Sequence, residues 1–217
     1  MTLLIFDCDG VLVDSEILHQ EVEAELGREV LGIERDPLTH GRLFTGKGLQ
    51  NLLAAWEAES GKPLPPGLED EMARRKRDAF TTRLKAIPFV ADALAKLSGF
   101  RRCVASGTPV QTLEIALKST GLYDNFAPHL FSSTMVARGK PAPDVFLYAA
   151  EKMRAAPGDC IVIEDTEHGV QAALAAKMRV IGFTGGSHCD ASHAEKLRGA
   201  DGIISDMREL PGILKRI

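Results

Sequence analysis

Long apolar runs are missing from this sequence. The first run, Leu3–Phe6, is interrupted at once by Asp7, and no later stretch approaches the length that spans a bilayer. This pattern predicts neither a secretory signal nor a transmembrane helix. An excess of basic charge is missing as well, because the formal net charge is −4. Such a charge attracts neither nucleic acid nor an anionic membrane, and we expect a cytoplasmic protein that binds neither.

Paired cysteine motifs are also missing. The four cysteines are widely spaced, with no Cys-x-x-Cys, which is typical of small buried hydrophobic residues in a reducing compartment. His188, Cys189 and His193 form a group that is rich in possible zinc ligands, but no fourth ligand stands at a usual spacing. The sequence therefore does not favour a zinc site or a disulfide framework.

The chain has a pattern typical of α/β proteins. At 217 residues and 45% hydrophobic composition it can bury one large core or two modest ones. Leu3–Phe6 is apolar throughout, as in a strand buried on both faces of a parallel sheet. After Pro88, helical and strand patterns alternate, which is the signature of parallel βα units. The later strands are expected at residues 102–105, 161–163, 180–183 and 203–204.

A helical segment interrupts this α/β pattern near its start. Leu18, Val22 and Leu26 recur every four residues, which predicts an amphipathic helix. Asp36-Pro37 is typical of an N-cap followed by the first helical residue. Helical patterns continue to residue 85 without a strand. We therefore predict a catalytic core of residues 1–15 and 86–217, and a helical cap domain of residues 16–85 inserted after the first strand.

An acidic pair follows the first strand. Asp7 and Asp9 should project to the same side of an extended segment, at the carboxyl end of a strand where open α/β sheets bind ligands. Gly10 permits a sharp turn directly after them. Clustered carboxylates are most easily tolerated when a hard cation such as Mg²⁺ shares their oxygens. An EF-hand loop counted from Asp7 would need glutamate where Leu18 stands, so that alternative is set aside.

Three further segments at or after strand ends carry polar groups suited to a phosphorylated ligand. Ser106 and Gly107 precede a predicted helix in which Thr108 is the N-cap, Pro109 the first residue and Gln111 the far side of a capping box. Free amides at a helix N-terminus bind phosphate. Lys140 stands between a glycine and two prolines, which restrict its backbone. Glu164-Asp165 ends an apolar strand, as Asp7 does; alone, such a pair is more often a helix N-cap than a metal site.

Together these segments resemble the haloacid dehalogenase-like hydrolase superfamily over nearly the whole chain. The motifs match in the family's order: Asp7-Cys8-Asp9-Gly10-Val11, then Ser106, Lys140 and Glu164-Asp165. The resemblance implies a three-layer Rossmann-like fold with a parallel sheet, a central first strand and a helical cap after the first motif. The subfamily it indicates includes phosphoglycolate phosphatases and β-phosphoglucomutase.

The resemblance also implies a Mg²⁺-dependent phosphoric monoester hydrolase that acts through a phosphoaspartate. Asp7 would be the nucleophile and Asp9 the general acid and base. Mg²⁺ would be held by Asp7, Asp9 through its backbone carbonyl, and Asp165, with Glu164 in or near the metal's coordination shell. Ser106, Gly107 and Lys140 would bind the phosphoryl oxygens. The expected partner is a small phosphorylated metabolite such as a sugar phosphate, and the expected assembly is a monomer or weak homodimer.

Several alternatives stay open at the level of sequence. Gly46-Lys47-Gly48 lies where a β-phosphoglucomutase has its cap loop, so a sugar-phosphate mutase is the first rival. A phosphonate hydrolase would need Lys47 as a Schiff-base lysine. A non-catalytic phospho-ligand sensor is the rival from another class, and it would be favoured by loss of a motif. Substrate selectivity is expected to depend on cap residues such as Arg42 and Lys47.

Some positions depart from the family's usual pattern, among them Lys177 and His168. Lys177 stands where a glycine commonly ends a helix, and His168 follows the fourth motif where small residues are usual. Neither takes part in the chemistry as assigned here.

Overall fold

The computed structural model describes residues 2–44 and 48–217. The chain folds into two compact units. One combines Met1–Asp14 with Lys85–Ile217, and the other is Ser15–Leu84. The first unit is thus built from the chain segments that come before and after the second unit in sequence.

Six parallel strands form one sheet in the first unit, in the order β3-β2-β1-β4-β5-β6. This is the order of a Rossmann-type sheet, in which ligands bind where the strand order reverses beside β1. The prediction of a parallel α/β fold with a central first strand is confirmed. The strands are β1 (Leu3–Phe6), β2 (Arg101–Ser106), β3 (Leu130–Ser132), β4 (Cys160–Glu164), β5 (Arg179–Phe183) and β6 (Gly202–Ile204).

The register of the central strands brings their carboxyl ends to one edge of the sheet. Phe6 of β1 pairs with Val104 of β2 on one side and with Ile163 of β4 on the other. The side chains of β1 are completely buried, as its unbroken apolar sequence predicts. The amide of Asp7 continues the ladder by donating to the Ile163 carbonyl at 2.9 Å. The backbone of Asp7 is therefore fixed by the sheet itself.

The second unit is helical in every residue that the structure assigns to a regular element. Trp56 is completely buried at its centre against Leu26, Leu53 and Met72. Asp36 accepts a hydrogen bond from the Thr39 amide at 3.0 Å, as its predicted capping role requires. The helices are α1 (Ser15–Leu31), α2 (Pro37–Phe44), α3 (Leu49–Ser60) and α4 (Leu68–Thr82).

Helices of the first unit flank the sheet. One face of the sheet buries Ile5, Cys103 and Val162 against Phe146 and Val170, so β1, β2 and β4 share one core with two helices. Within the described residues, no helix is both long enough and apolar enough to cross a membrane. The helices are α5 (Val90–Lys96), α6 (Val110–Ser119), α7 (Asp144–Lys152), α8 (Glu167–Ala175), α9 (His193–Lys196) and α10 (Leu210–Ile213).

Two of the atypical positions, His168 and Lys177, lie on or near α8. Lys177 follows the helix with φ of 58°, in the left-handed region that glycine adopts at less cost. Its amide donates to the Leu174 carbonyl at 2.9 Å, which closes the helix end. His168 is exposed on the first turn. Lys177 therefore ends the helix in the conformation for which the family commonly uses glycine.

Candidate active site

Three neighbouring strands end in the predicted site residues. β1 leads to Asp7, β2 ends at Ser106 and β4 ends at Glu164, with β1 between the other two. This edge beside β1 is the place where a sheet of this order binds ligands. The sequence motifs that are far apart along the chain therefore meet because parallel strands place their carboxyl ends together.

Lys140 links two of these strand ends. Its Nζ donates to Asp7 Oδ1 at 2.7 Å and to Glu164 Oε1 at 2.6 Å. Its side chain is 11% exposed, and those of Asp7 and Glu164 are 8% and 0% exposed. Burial by itself lowers the pKa of Lys140, but the charges of Asp7 and Glu164 outweigh burial and raise it. Lys140 is therefore a fixed cation in a largely dry acidic site.

The carboxyl group of Asp7 is not easily ionised in this setting. Burial raises the pKa of Asp7 well above its usual value, and the Lys140 charge acts in the opposite direction. The nearby charges of Glu164, Asp165 and Asp9 raise that pKa further. A cation bound beside these groups would favour the ionised form.

Asp7, Glu164 and Asp165 form a compact carboxylate group that could hold a metal ion. Each offers an oxygen, these oxygens lie within 4.8 Å of one another, and all three residues are buried. Carboxylate oxygens are the ligands of hard cations such as Mg²⁺, so this donor set fits that ion. Glu164 already accepts bonds from Lys140 and, through Oε2, from the Thr166 amide and hydroxyl at 2.8 and 2.9 Å. Asp7 and Asp165 are therefore the better candidates for direct ligands.

Asp9 has different partners. Its Oδ2 accepts a hydrogen bond from Thr108 Oγ1 at 2.7 Å and a longer one from Ser106 Oγ at 3.4 Å. Ser106 is 1% exposed, and its Oγ also accepts from the Thr108 amide at 3.1 Å. The carboxylate of Asp9 thus lies on the β2 side of the edge, and it is not a member of the carboxylate group that Asp7 forms on the β4 side.

The expected capping of α6 is wrong. The helix begins at Val110, with Pro109 as its N-cap residue and no side-chain hydrogen bond at the cap. Thr108 therefore does not cap the helix, and Gln111 does not complete a capping box. The reason is that the Thr108 hydroxyl is used by Asp9, and the sequence showed only its helix-capping potential.

The remaining predicted positions are placed as follows. Gly107 is exposed directly after Ser106, where an added Cβ would meet open space. Arg42 is exposed on α2 of the helical unit. Lys47 lies outside the described residues.

Three residues that the sequence did not place in the site contact its acidic groups. Thr108 bonds to Asp9, as described above. His188 Nε2 lies 3.2 Å from Asp165 Oδ2, and His193 Nε2 lies 2.6 Å from the Asp165 carbonyl oxygen. The only sequence signal for the histidines was the His188, Cys189 and His193 group itself, which is rich in possible zinc ligands. Potential ligand atoms of that trio do lie within 4.8 Å of one another, but a nitrogen of each ring faces Asp165.

A glycine on α8 leaves room for the Glu164 carboxylate. A Cβ on Gly169 would overlap the Glu164 carboxyl group. In an open helix, Gly→Ala stabilises by about 1 kcal/mol, whereas overpacking a core costs about 1–3 kcal/mol. We expect Gly169→Ala to lower the free energy of unfolding by about 1–3 kcal/mol, measured by urea denaturation. Gly212→Ala on α10, whose Cβ would meet nothing within 4 Å, is the control. A Gly169→Ala protein as stable as the control would contradict this packing.

Comparison with known proteins identifies the class of this chain. The family model for haloacid dehalogenase-like hydrolases matches residues 1–177. The chain therefore belongs to the haloacid dehalogenase-like hydrolases, and the resemblance inferred from the motifs is confirmed.

Individual relatives are similar over most of the chain. Hexitol phosphatase B of Escherichia coli K12 is 33% identical, covering 82% of this chain and 81% of the relative. The β-phosphoglucomutase of Bacillus subtilis 168 is 25% identical, covering 97% of this chain and 92% of the relative. A haloacid dehalogenase family hydrolase from Deinococcus radiodurans R1 was crystallised with bound phosphate and sodium. Its structure superposes with a TM-score of 0.89 at 30% identity, covering 100% of this chain and 96% of that one.

Proposed function

We propose that this protein is a Mg²⁺-dependent phosphatase that hydrolyses a small phosphorylated carbohydrate through a phosphoaspartate on Asp7. The class of enzyme, a phosphoric monoester hydrolase, follows from the family match and from the named phosphatases among the relatives. The metal, the covalent intermediate and the residue roles are the parts that we propose.

The observation that carries the proposal is the placement of Lys140. Its ammonium bonds to Asp7 and Glu164, which are 133 and 24 residues away in sequence. A phosphoryl group approaching Asp7 is itself negative, and two unit charges at 4 Å repel by about 4 kcal/mol at an effective dielectric constant near 20. A buried cation beside the nucleophile reduces that repulsion and stabilises the charge of the transition state.

The metal would be held by Asp7, Asp165 and the backbone carbonyl of Asp9, with Glu164 near it. When bound, Mg²⁺ supplies further positive charge that neutralises the phosphoryl oxygens and orients them for attack. The donor set fits that ion, as described above, and all three carboxylates lie at or directly after the carboxyl end of β1 or β4.

The reacting groups of the chain then act in sequence. Asp7 attacks phosphorus, and the ester oxygen leaves with a proton that Asp9 provides. Asp9 then takes a proton from the water that attacks the phosphoaspartate, which releases inorganic phosphate and restores Asp7. Thr108 holds Asp9 in place for both transfers. Ser106, Gly107 and Lys140 bind the phosphoryl oxygens.

The class of substrate rests on the relatives. Hexitol phosphatase B, 6-phosphogluconate phosphatase and fructose-1-phosphate phosphatase are among the proteins that this chain resembles. We therefore place the substrate among phosphorylated sugars and sugar acids. The helical unit Ser15–Leu84 would act as the cap that selects among them, with Arg42 and Lys47 as candidate contacts.

A sugar-phosphate mutase is the second candidate. The observation that favours it is the similarity to β-phosphoglucomutase over 97% of the chain. The loop that would distinguish the two includes residues outside the described part of the chain, so the fold does not decide between them. Incubation with a hexose 1-phosphate separates the candidates, because a phosphatase releases inorganic phosphate and a mutase forms the 6-isomer.

One experiment tests the proposal as a whole. Purified protein stripped with EDTA is assayed for phosphate release against a panel of phosphorylated sugars, sugar acids and a generic aryl phosphate, with and without added Mg²⁺. We expect no turnover without metal, and restored turnover of at least one phosphorylated sugar with it. Failure to hydrolyse any of these esters with Mg²⁺ would contradict the proposal and favour a non-catalytic phospho-ligand sensor. The cytoplasmic location and the monomeric or weakly dimeric state stay predictions.

A further inference from the structure

We infer that His188 is a positioning residue for the metal ligand Asp165. The inference rests on the proposed metal site, and it concerns a residue outside the four family motifs. We define the support loop as residues 184–193, which connect β5 to the start of α9. Two side chains of this loop contact Asp165, and a third contacts the segment that follows Asp7 and Asp9.

The contact between His188 and Asp165 joins a ring nitrogen to a carboxylate oxygen. Nε2 of His188 lies 3.2 Å from Oδ2 of Asp165, with the two side chains 8% and 1% exposed. The contact is an ion pair when the ring is protonated, and its geometry is not that of a hydrogen bond. Because both side chains are buried, the ring restricts the direction in which Asp165 presents its oxygens. Contacts of this kind, made by residues beyond the ligands themselves, orient the ligands of metal sites.

The backbone of Asp165 is held by the second histidine. Nε2 of His193 lies 2.6 Å from the Asp165 carbonyl oxygen. A carbonyl oxygen only accepts hydrogen bonds, so this nitrogen carries the proton. The two histidines therefore hold Asp165 by its main chain and its side chain together.

The support loop is anchored beside the first motif. The Ser187 amide donates to Asp14 Oδ1 at 3.0 Å, and the Ser187 hydroxyl donates to Asp14 Oδ2. A Cβ on Gly10 would overlap Asp165 and crowd the His188 ring, and one on Gly186 would crowd the same ring. These two glycines leave the space that the ring occupies. The support loop thus contacts the segments that follow β1 and β4. These two strand ends supply the two candidate metal ligands.

The packing does not favour a soft-metal site on the same loop. Cys189 Sγ lies 3.4 Å from His188 Nε2, and ligand atoms of His188, Cys189 and His193 are close enough together to suggest such a metal site. A nitrogen of each ring already faces Asp165, however, and burial raises the pKa of Cys189 to about 12. The histidines are better explained as the groups that hold Asp165.

A matched pair of variants tests this role. In His188→Gln the amide nitrogen stands near the position of Nε2, whereas in His188→Asn it stands near Nδ1 and does not reach Asp165. The Kd for Mg²⁺ is measured on EDTA-stripped protein by isothermal titration calorimetry, together with the Tm in EDTA. We expect His188→Asn to raise the Kd by about 10–100-fold, and His188→Gln to stay closer to wild type. His129→Asn, at an exposed position of the same unit, should bind as wild type does.

The outcomes separate the two claims. If wild-type protein binds Mg²⁺ and His188→Asn binds it equally well, the positioning role is wrong and the proposed function stands. An equal rise of the Kd in both His188 variants, with equal loss of Tm in EDTA, would also overturn the role, because it indicates packing alone. If the wild-type protein binds no Mg²⁺, the metal part of the proposed function fails and this inference fails with it.

Discussion

Asp7→Asn is expected to abolish turnover while the protein stays folded. The amide is not a nucleophile toward phosphorus, and loss of a covalent nucleophile costs about 10⁴-fold or more in kcat. The substitution should not destabilise the metal-free protein. Burial raises the pKa of Asp7 well above its usual value, so the folded protein favours the uncharged form that asparagine imitates. We expect a Tm in EDTA equal to or above that of wild type, measured beside phosphate release.

The control is an aspartate at the opposite end of a neighbouring strand. Asp159 is exposed directly before β4, at the amino edge of the sheet. Asp159→Asn should leave both turnover and Tm unchanged. An Asp7→Asn protein with activity near that of wild type would remove the nucleophile assignment. An inactive protein with a much lower Tm would contradict our description of the Asp7 environment.

Lys140→Met is expected to reduce both activity and stability by large amounts. Removing one partner of a buried ion pair costs about 3–5 kcal/mol, because the remaining charges are left without compensation. In EDTA, Lys140→Met should lower the free energy of unfolding by that amount at neutral pH. Lys118→Met is the control, since Lys118 pairs with Glu114 at 3.1 Å on an exposed surface of α6. Exposed pairs contribute about 1 kcal/mol or less.

The stability loss in Lys140→Met should depend on pH. The pKa of folded Asp7 is already raised, and loss of the Lys140 charge would raise it further. A carboxyl group whose pKa is higher in the folded than in the unfolded protein destabilises the fold. The destabilisation grows as the pH rises from the pKa of the unfolded state through that of the folded state. The difference in free energy of unfolding between wild type and Lys140→Met should therefore be largest above the pKa of Asp7 in the folded protein. It should shrink as the pH falls through that pKa. Urea denaturation over a pH series measures this, and a deficit that is constant with pH would contradict it.

The sequence predicted the central features of the site because they depend on short-range patterns. An apolar run followed by Asp7 predicts a buried strand with a carboxylate at its end, and a second run before Glu164 predicts the same. Parallel pairing then brings the two ends together without further information. Lys140 was predicted for a different reason, since only the resemblance to a family connected it with residues more than a hundred positions away.

Other features depend on contacts that one sequence does not display. Thr108 has the residue type and position of a helix cap, and only the fold shows that Asp9 receives its hydroxyl. His188 and His193 stand in a group rich in possible zinc ligands that the sequence did not favour as a site, and only the fold shows that their rings contact Asp165. The strand Leu130–Ser132 was not predicted, because three residues are too few for a periodic pattern. For Thr108 and the two histidines, the deciding partner is distant in sequence.

The central claim is that Asp7 carries the phosphoryl group during turnover. The most direct measurement is acid quenching of the Asp9→Asn enzyme with Mg²⁺ and an aryl phosphate, followed by peptide mass spectrometry. An aryl leaving group needs little help from an acid, so the first step proceeds, while the loss of Asp9 slows hydrolysis of the intermediate. We predict phosphate on the side chain of Asp7. Phosphate release during the same reaction, with no phosphate found on Asp7, would contradict the account.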